Sequence, residues 1–169
     1  QVERLSAFSS IATHYYAARN TPLANQILRE SQRIAATELT TQDRGQAFSK
    51  IALAQSHLGD IEGAMQSVLN AGSGQGRSQL LKLLANAHLD DGNVYSAQVF
   101  MDELEGSDVF HGLQSRLIAT LYYQGKERQA KAFLSQAVVQ AKNITDVSRS
   151  GLHLSRYARL YQRVGETRK

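Results

Sequence analysis

The side chains able to do acid–base or metal chemistry are scattered along this chain without a recognisable signature. The five histidines are His14, His57, His88, His111 and His153. Their spacing contains neither an HExxH motif nor a close pair of the kind that holds zinc. Cysteine is absent, which excludes disulfides and thiolate metal sites. No serine lies in a recognisable nucleophile motif, so the sequence predicts no enzyme activity and no cofactor.

The glycine-rich stretch AGSGQGRS, around Gly72, Gly74 and Gly76, is the one segment that resembles a phosphate-binding loop. A phosphate-binding loop needs a preceding strand and a following Gly-Lys-Ser/Thr, and the sequence supplies neither. We therefore predict that this stretch is a loop between helices.

The composition favours an all-α protein in an aqueous environment. The single proline is Pro22, charged residues make up 20% of the chain and hydrophobic residues 42%. No apolar run approaches the roughly 20 residues of a membrane-spanning helix. The chain begins with Gln1, which agrees with a signal peptide or a further domain upstream and so with a larger protein. An exported bacterial (periplasmic) location and a cytoplasmic one are both compatible with this composition.

A turn residue recurs at a fixed spacing. Gly59, Gly92 and Gly125 are separated by 33 residues each, and Gly165 follows 40 residues later. An alanine stands five residues after each of the first three, and Arg19, 40 residues before Gly59, is likewise followed five residues later by Ala24. An apolar residue comes four positions after each alanine. The alanines after the three glycines are Ala64, Ala97 and Ala130. The apolar residues that follow the four alanines are Leu28, Val68, Met101 and Leu134.

In the segment before each turn, four mostly apolar residues recur at the same distances from the turn. Their spacings of three and four are helical, so each unit is predicted to be two helices joined by a short turn. The sets are Phe8, Ile11, Ala12 and Tyr15; Phe48, Ile51, Ala52 and Gln55; Leu81, Leu84, Ala85 and His88; Gln114, Leu117, Ile118 and Leu121; and Leu154, Tyr157, Ala158 and Tyr161.

This register resembles the tetratricopeptide repeat, a helix–turn–helix unit of about 34 residues. The resemblance covers essentially the whole chain, although the family's tryptophan and terminal proline are missing. It implies one all-α domain over residues 1–169, a right-handed α-solenoid of four repeats at about 5–44, 45–77, 78–110 and 111–150. A terminal helix follows at about 151–165.

The turns carry their own signals. We expect Gly59, Gly92, Gly125 and Gly165 to end the first helix of each unit in the left-handed conformation. Asp60 and Asn93 are predicted to cap the second helix, and Thr21-Pro22 to do so in the first unit. The two 40-residue spacings are expected to lengthen the second helices of units one and four.

The resemblance also implies which side chains line the concave face. By register these are Lys50, Lys82, Asn86, Arg116, Arg156, Arg159 and Arg163, with Tyr16, Tyr122, Tyr123 and His57. Asp90 is the one acid among them, and the net charge is +4. We therefore expect the face to attract acidic peptides through guanidinium–carboxylate contacts.

These expectations describe a non-catalytic protein-interaction module or assembly scaffold. Its partner would be another protein or peptide of acidic character, and the sequence predicts neither a membrane span nor a nucleic-acid motif. Three alternatives stay open: a nucleic-acid-binding repeat protein, favoured by the pI near 9.5, a self-assembling homo-oligomer, and a peptide-sensing regulatory domain.

Overall fold

The computed structural model describes residues 2–166, with the backbone alone described for residues 2, 6, 41, 42 and 164–166. Within this part the chain forms nine α-helices and no strand, as the composition predicted. The helices are α1 (Val2–Ala17), α2 (Thr21–Glu38), α3 (Thr41–His57), α4 (Ile61–Asn70), α5 (Gln75–Asp90), α6 (Val94–Asp102), α7 (Asp108–Tyr123), α8 (Glu127–Lys142) and α9 (Val147–Glu166).

The helices pack largely in sequence-adjacent pairs. Helix α1 packs on α2, α3 on α4 and α7 on α8, and His88 of α5 stacks on Phe100 of α6 with ring centroids 5.6 Å apart. The chain divides into two compact units, Gln1–Leu84 and Ala85–Lys169, with the division inside α5. They are named below the N-terminal unit and the C-terminal unit.

The core of the N-terminal unit is built mainly from apolar residues, with small ones where helices meet. Phe48 and Ile51 of α3 are buried, at 2% and 0% exposure. Ala12, Ala24 and Ala64 are fully buried, because a larger side chain there would overpack the contact between paired helices. This burial agrees with the register in which the sequence placed these residues.

The C-terminal unit buries the corresponding alanines but also several polar groups. Ala85, Ala97 and Ala130 are fully buried. Gln114 and Tyr157, however, occupy the positions that Phe48 and Ile51 occupy in the N-terminal unit. Both are buried, at 3% and 1% exposure, so polar atoms enter the core of this unit at its apolar register.

The predicted glycine turns are confirmed at three positions. Gly59, Gly92 and Gly125 have φ of 78°, 74° and 73°, a conformation that costs glycine nothing. The predicted caps are confirmed as well: Gly63 N donates to Asp60 Oδ1 at 2.9 Å, and Ser96 N donates to Asn93 Oδ1 at 3.3 Å. The second helices α2 and α8 have 18 and 16 residues against 10 and 9 in α4 and α6, as the spacing predicted.

Three local predictions were wrong. Asn20, not Thr21, caps α2, since its side chain accepts from Leu23 N and Thr21 is already the first helical residue. Gly165 does not end a helix, because α9 continues through it to Glu166. That helix also begins at Val147, four residues before the predicted start. Arg19, which aligns with the turn glycines in the repeat register, has φ 61° and therefore also takes the left-handed conformation.

Candidate partner-binding site

Three of the predicted site residues lie in the N-terminal unit. Tyr16 of α1, Lys50 of α3 and Lys82 of α5 are all exposed. Their side chains make no hydrogen bond or ion pair within the described part of this unit. They are therefore accessible, and no contact joins them into a site.

Asn86 and Arg116 are brought together in the C-terminal unit. The Arg116 guanidinium donates to Asn86 Oδ1 and also to Asp90 Oδ1. The Arg116 and Asp90 side chains remain 46% and 66% exposed, so solvent screening leaves this ion pair worth less than about 1 kcal/mol. A partner carboxylate at Arg116 would compete with Asp90, which weakens this residue as a predicted partner contact.

Tyr122 and Tyr123 end α7 and meet edge to face, with ring centroids 6.2 Å apart. Tyr123 is 82% exposed. An exposed tyrosine offers a flat apolar surface with a polar tip, which suits an interface. The pair is the aromatic part of the predicted site within the C-terminal unit.

Arg156 and Arg159 line a pocket of about 350 Å³ between α7 and α9. Arg163, Leu160 and Ser115 complete the lining among the described side chains, so three arginines and no acid line the cavity within that set. Arg156 lies close to Gly112 of α7, since a methyl group built on that glycine would be in ordinary van der Waals contact with Arg156 Nη1, at 3.6 Å. We call this cavity the arginine pocket.

Beside the arginine pocket, a directed chain of hydrogen bonds runs through the core. The Gln140 amide donates to Glu105 at 3.2 Å, and the Gln114 amide donates to Gln140 Oε1 at 2.8 Å. The Tyr157 hydroxyl donates to Gln114 Oε1 at 2.7 Å. Its oxygen is then the acceptor for Nδ1–H of His111, 3.0 Å away. The glutamate end of the chain thereby fixes the tautomer of His111.

His111 also stacks on His153, with ring centroids 4.2 Å apart. His153 Nε2 lies 3.4 Å from Asp108 Oδ1, while its buried Nδ1 has no hydrogen-bond partner among the residues that the structure describes. The Arg149 guanidinium contacts Asp108 at 2.6 Å and holds the pKa of that carboxyl below its usual range. The ionised Asp108 therefore accepts from His153 Nε2–H.

Burial, chiefly, and the neighbouring His153 lower the pKa of His111. Burial also raises the pKa of Tyr157 to about 12, so its hydroxyl remains a donor at neutral pH. The lowered pKa of His111 and the raised pKa of Tyr157 both favour the neutral forms of these side chains, and the chain of hydrogen bonds described above requires those forms. The network thus fixes where α9, and with it Arg156 and Arg159, lies on α7.

Sequence reasoning missed this network because its members are far apart in the chain. Tyr157 is 43 residues from Gln114, and Gln114 is 26 from Gln140. One signal was present: Gln114 stands where Phe48 and Leu81 stand in other units. A polar residue at an apolar register position calls for a buried partner.

No family model, curated protein or solved structure matches this chain. Over the described residues, no group of three or more histidines and acids could hold a metal ion. None of the described helices has the length and apolar character to cross a membrane.

Proposed function

We propose that this chain is a non-catalytic protein-interaction module of tetratricopeptide-like repeats, arranged as an α-solenoid, whose arginine pocket receives acidic side chains of a partner segment. The observation that carries the proposal is the pocket itself, which three arginines line and to which the described side chains contribute no acid. Guanidinium groups bind carboxylates in a two-pronged geometry, so Arg156 and Arg159 side by side on α9 suit a partner carboxylate.

The fold supports a role in binding. Repeat proteins form extended binding surfaces by presenting side chains of successive first helices on a common face, and the sequence-adjacent helix pairs of this chain agree with such an arrangement. Tyr122 and Tyr123 add aromatic area in the same unit as the arginine pocket. The hydrogen-bonded core beside the pocket holds α9 in place, which reduces the ordering cost of binding.

The test compares two variants of equal charge. One replaces the pocket cations (Arg156→Gln, Arg159→Gln, Arg163→Gln), and the control removes three exposed cations elsewhere (Arg29→Gln, Arg128→Gln, Lys131→Gln). Each is titrated calorimetrically with an acetylated peptide of alternating Asp and Glu and with its Asn/Gln analogue. Circular dichroism verifies folding first.

We expect the acidic peptide to bind wild type and the control variant, and the pocket variant to bind at least about tenfold more weakly. Raising the salt from about 50 to about 300 mM should weaken wild-type binding, since screening shortens the range of the charges. Equal losses in both variants would mean that net charge, not the pocket, binds the peptide. Preferential binding of a single-stranded oligonucleotide at matched charge would replace the protein partner by nucleic acid.

A further inference from the structure

A second cavity in the C-terminal unit has the opposite chemistry. It encloses about 160 Å³ among α6, α7 and α8. Its polar lining consists of four glutamines and two acids and contains no basic residue. We call it the amide pocket, and these six residues are Gln98, Gln114, Gln136, Gln140, Asp102 and Glu105.

The amides of this pocket are already oriented. Gln114 donates to Gln140, and Gln140 donates to Glu105. Each carbonyl oxygen keeps a second lone pair, and Glu105 keeps an oxygen outside this chain of bonds. The wall therefore offers acceptors at fixed positions, which lowers the reorganisation cost of binding a donor.

The two acids of the amide pocket lie at the C-terminal end of α6, where the helix dipole disfavours negative charge. Asp102 is the last residue of α6, and Glu103 and Glu105 follow it. A helix C-terminus carries partial negative charge, so carboxylates there are repelled. Burial, then Glu105 and Glu103, raise the pKa of Asp102. Among the described residues no cation forms an ion pair with Asp102 or Glu105, so no ion pair of these two carboxylates relieves the repulsion there.

The remainder of the wall is apolar. The apolar residues that line the cavity are Phe110, Phe133, Met101 and Leu117. A cavity of about 150 Å³ is large enough for benzene, which has six heavy atoms. The amide pocket is therefore the size of a short alkyl chain carrying one planar head group, with aromatic faces that favour a cation.

We propose that the amide pocket binds a guanidinium group on a short alkyl chain, the side chain of a partner's arginine. The planar head presents five N–H donors. The carboxylates of Asp102 and Glu105 and the second lone pairs of Gln114 and Gln140 accept them, and the alkyl chain lies against Phe110 and Phe133. This inference goes beyond the acidic-partner function and does not depend on it.

The probe is n-butylguanidinium, and its uncharged counterpart n-butylurea has nearly the same shape. Both are titrated into the full chain, with binding followed by the side-chain amide signals of Gln114 and Gln140 in nitrogen–proton NMR spectra. The ligand is small, so we expect millimolar affinity. N-acetylarginine methylamide tests whether a peptide-borne guanidinium enters the same pocket.

The variant is Asp102→Asn with Glu105→Gln, which removes both charges and keeps both shapes. Its matched control, Asp91→Asn with Asp146→Asn, removes two exposed acids of the same unit. We expect n-butylguanidinium to bind wild type and the control about tenfold or more tightly than the pocket variant. The pocket variant should be no less stable than wild type, because the substitutions remove like-charge repulsion.

Three outcomes would overturn the inference: no shift of the two amides, equal binding of n-butylurea, or equal affinity in the pocket variant. A failure of this inference would not contradict the proposal for the arginine pocket, because the two pockets share no lining residue. The substitutions Arg156→Gln, Arg159→Gln and Arg163→Gln are accordingly expected to leave the binding of n-butylguanidinium unchanged. Binding of n-butylguanidinium without binding of the arginine amide would assign the pocket to a free alkylguanidine.

Discussion

The two units use the same register positions for opposite chemistry. Phe48 and Ile51 fill the core of the N-terminal unit with hydrocarbon, whereas Gln114 and Tyr157 place an amide and a hydroxyl at the corresponding positions of the C-terminal unit. The N-terminal unit has a shorter polar link, in which the Gln32 amide donates to Ser67 Oγ at 2.9 Å and Ser67 Oγ donates to Gln55 Oε1 at 2.7 Å. An apolar residue in the core can be replaced by another apolar residue of similar volume without changing its neighbours. A buried polar residue depends on its hydrogen-bond partners, so the members of a buried polar network must be compatible as a set.

The largest expected effect is a loss of stability on truncating a core side chain, compared at Phe48 and Gln114, which share a register position. Phe48→Ala should lower the free energy of unfolding by about 3 to 5 kcal/mol, because it leaves a cavity in a packed apolar core. Gln114→Ala should cost about 1 to 3 kcal/mol, mostly by leaving its partners unsatisfied. Urea unfolding followed by circular dichroism measures both. Equal losses would contradict the distinction between the two cores.

Tyr157→Phe should cost about 2 kcal/mol, since it strands the His111 donor and the Gln114 acceptor in the core. The decisive control is the triple variant Tyr157→Phe, Gln114→Leu and His111→Leu, which makes this core resemble the N-terminal one. We expect it to be more stable than Tyr157→Phe alone, as measured by the same urea titration. Further loss in the triple variant would show that shape, not hydrogen bonding, limits this core.

The smallest expected effect is a pH dependence confined to the C-terminal unit. The folded pKa of His111 is lower than its unfolded value, so the unfolded chain binds more protons as the medium becomes acidic. Stability should therefore be full above about pH 6.5 and decline as the pH falls through and below that value. The titratable groups facing His111 are His153, Asp108, Arg149 and Tyr157.

The measurement is the free energy of unfolding at about pH 7.5 and about pH 5, on either side of the unfolded histidine pKa. His111→Gln should flatten the slope, because the amide can still donate to Tyr157 without titrating. His14→Gln is the control, since His14 is exposed in the N-terminal unit. An unchanged slope in His111→Gln would remove this histidine as the cause.

Local rules predicted most of the secondary structure. The helical periodicity, the glycines at Gly59, Gly92 and Gly125, and the caps Asp60 and Asn93 each depend on residues within one turn of themselves. The misplaced cap shows the limit of such rules, because Asn20 and Thr21 are both capping residues and only the φ and ψ angles select between them. The repeat family and the solenoid remain predictions.

Less of the candidate site followed from the sequence. Register identified Arg156 and Arg159 as neighbours on α9, and they do line one pocket. It could not show that Arg116 is already paired with Asp90, since that contact depends on the packing of α7 against α5. The amide pocket was also missed, because its lining comes from three helices and from residue types that are common on surfaces.

The exposure of Ala158 has a consequence for how substitutions in this chain should be weighted. Ala12, Ala52 and Ala85 occupy the same register position and are fully buried, whereas Ala158 is exposed. A larger side chain at the first three would overpack a helix contact, while the described residues leave room for one at Ala158. A substitution matrix averaged over the five units would assign the same cost to a larger side chain at the buried alanines and at Ala158. It would therefore underestimate how well the last helix tolerates substitution at that position.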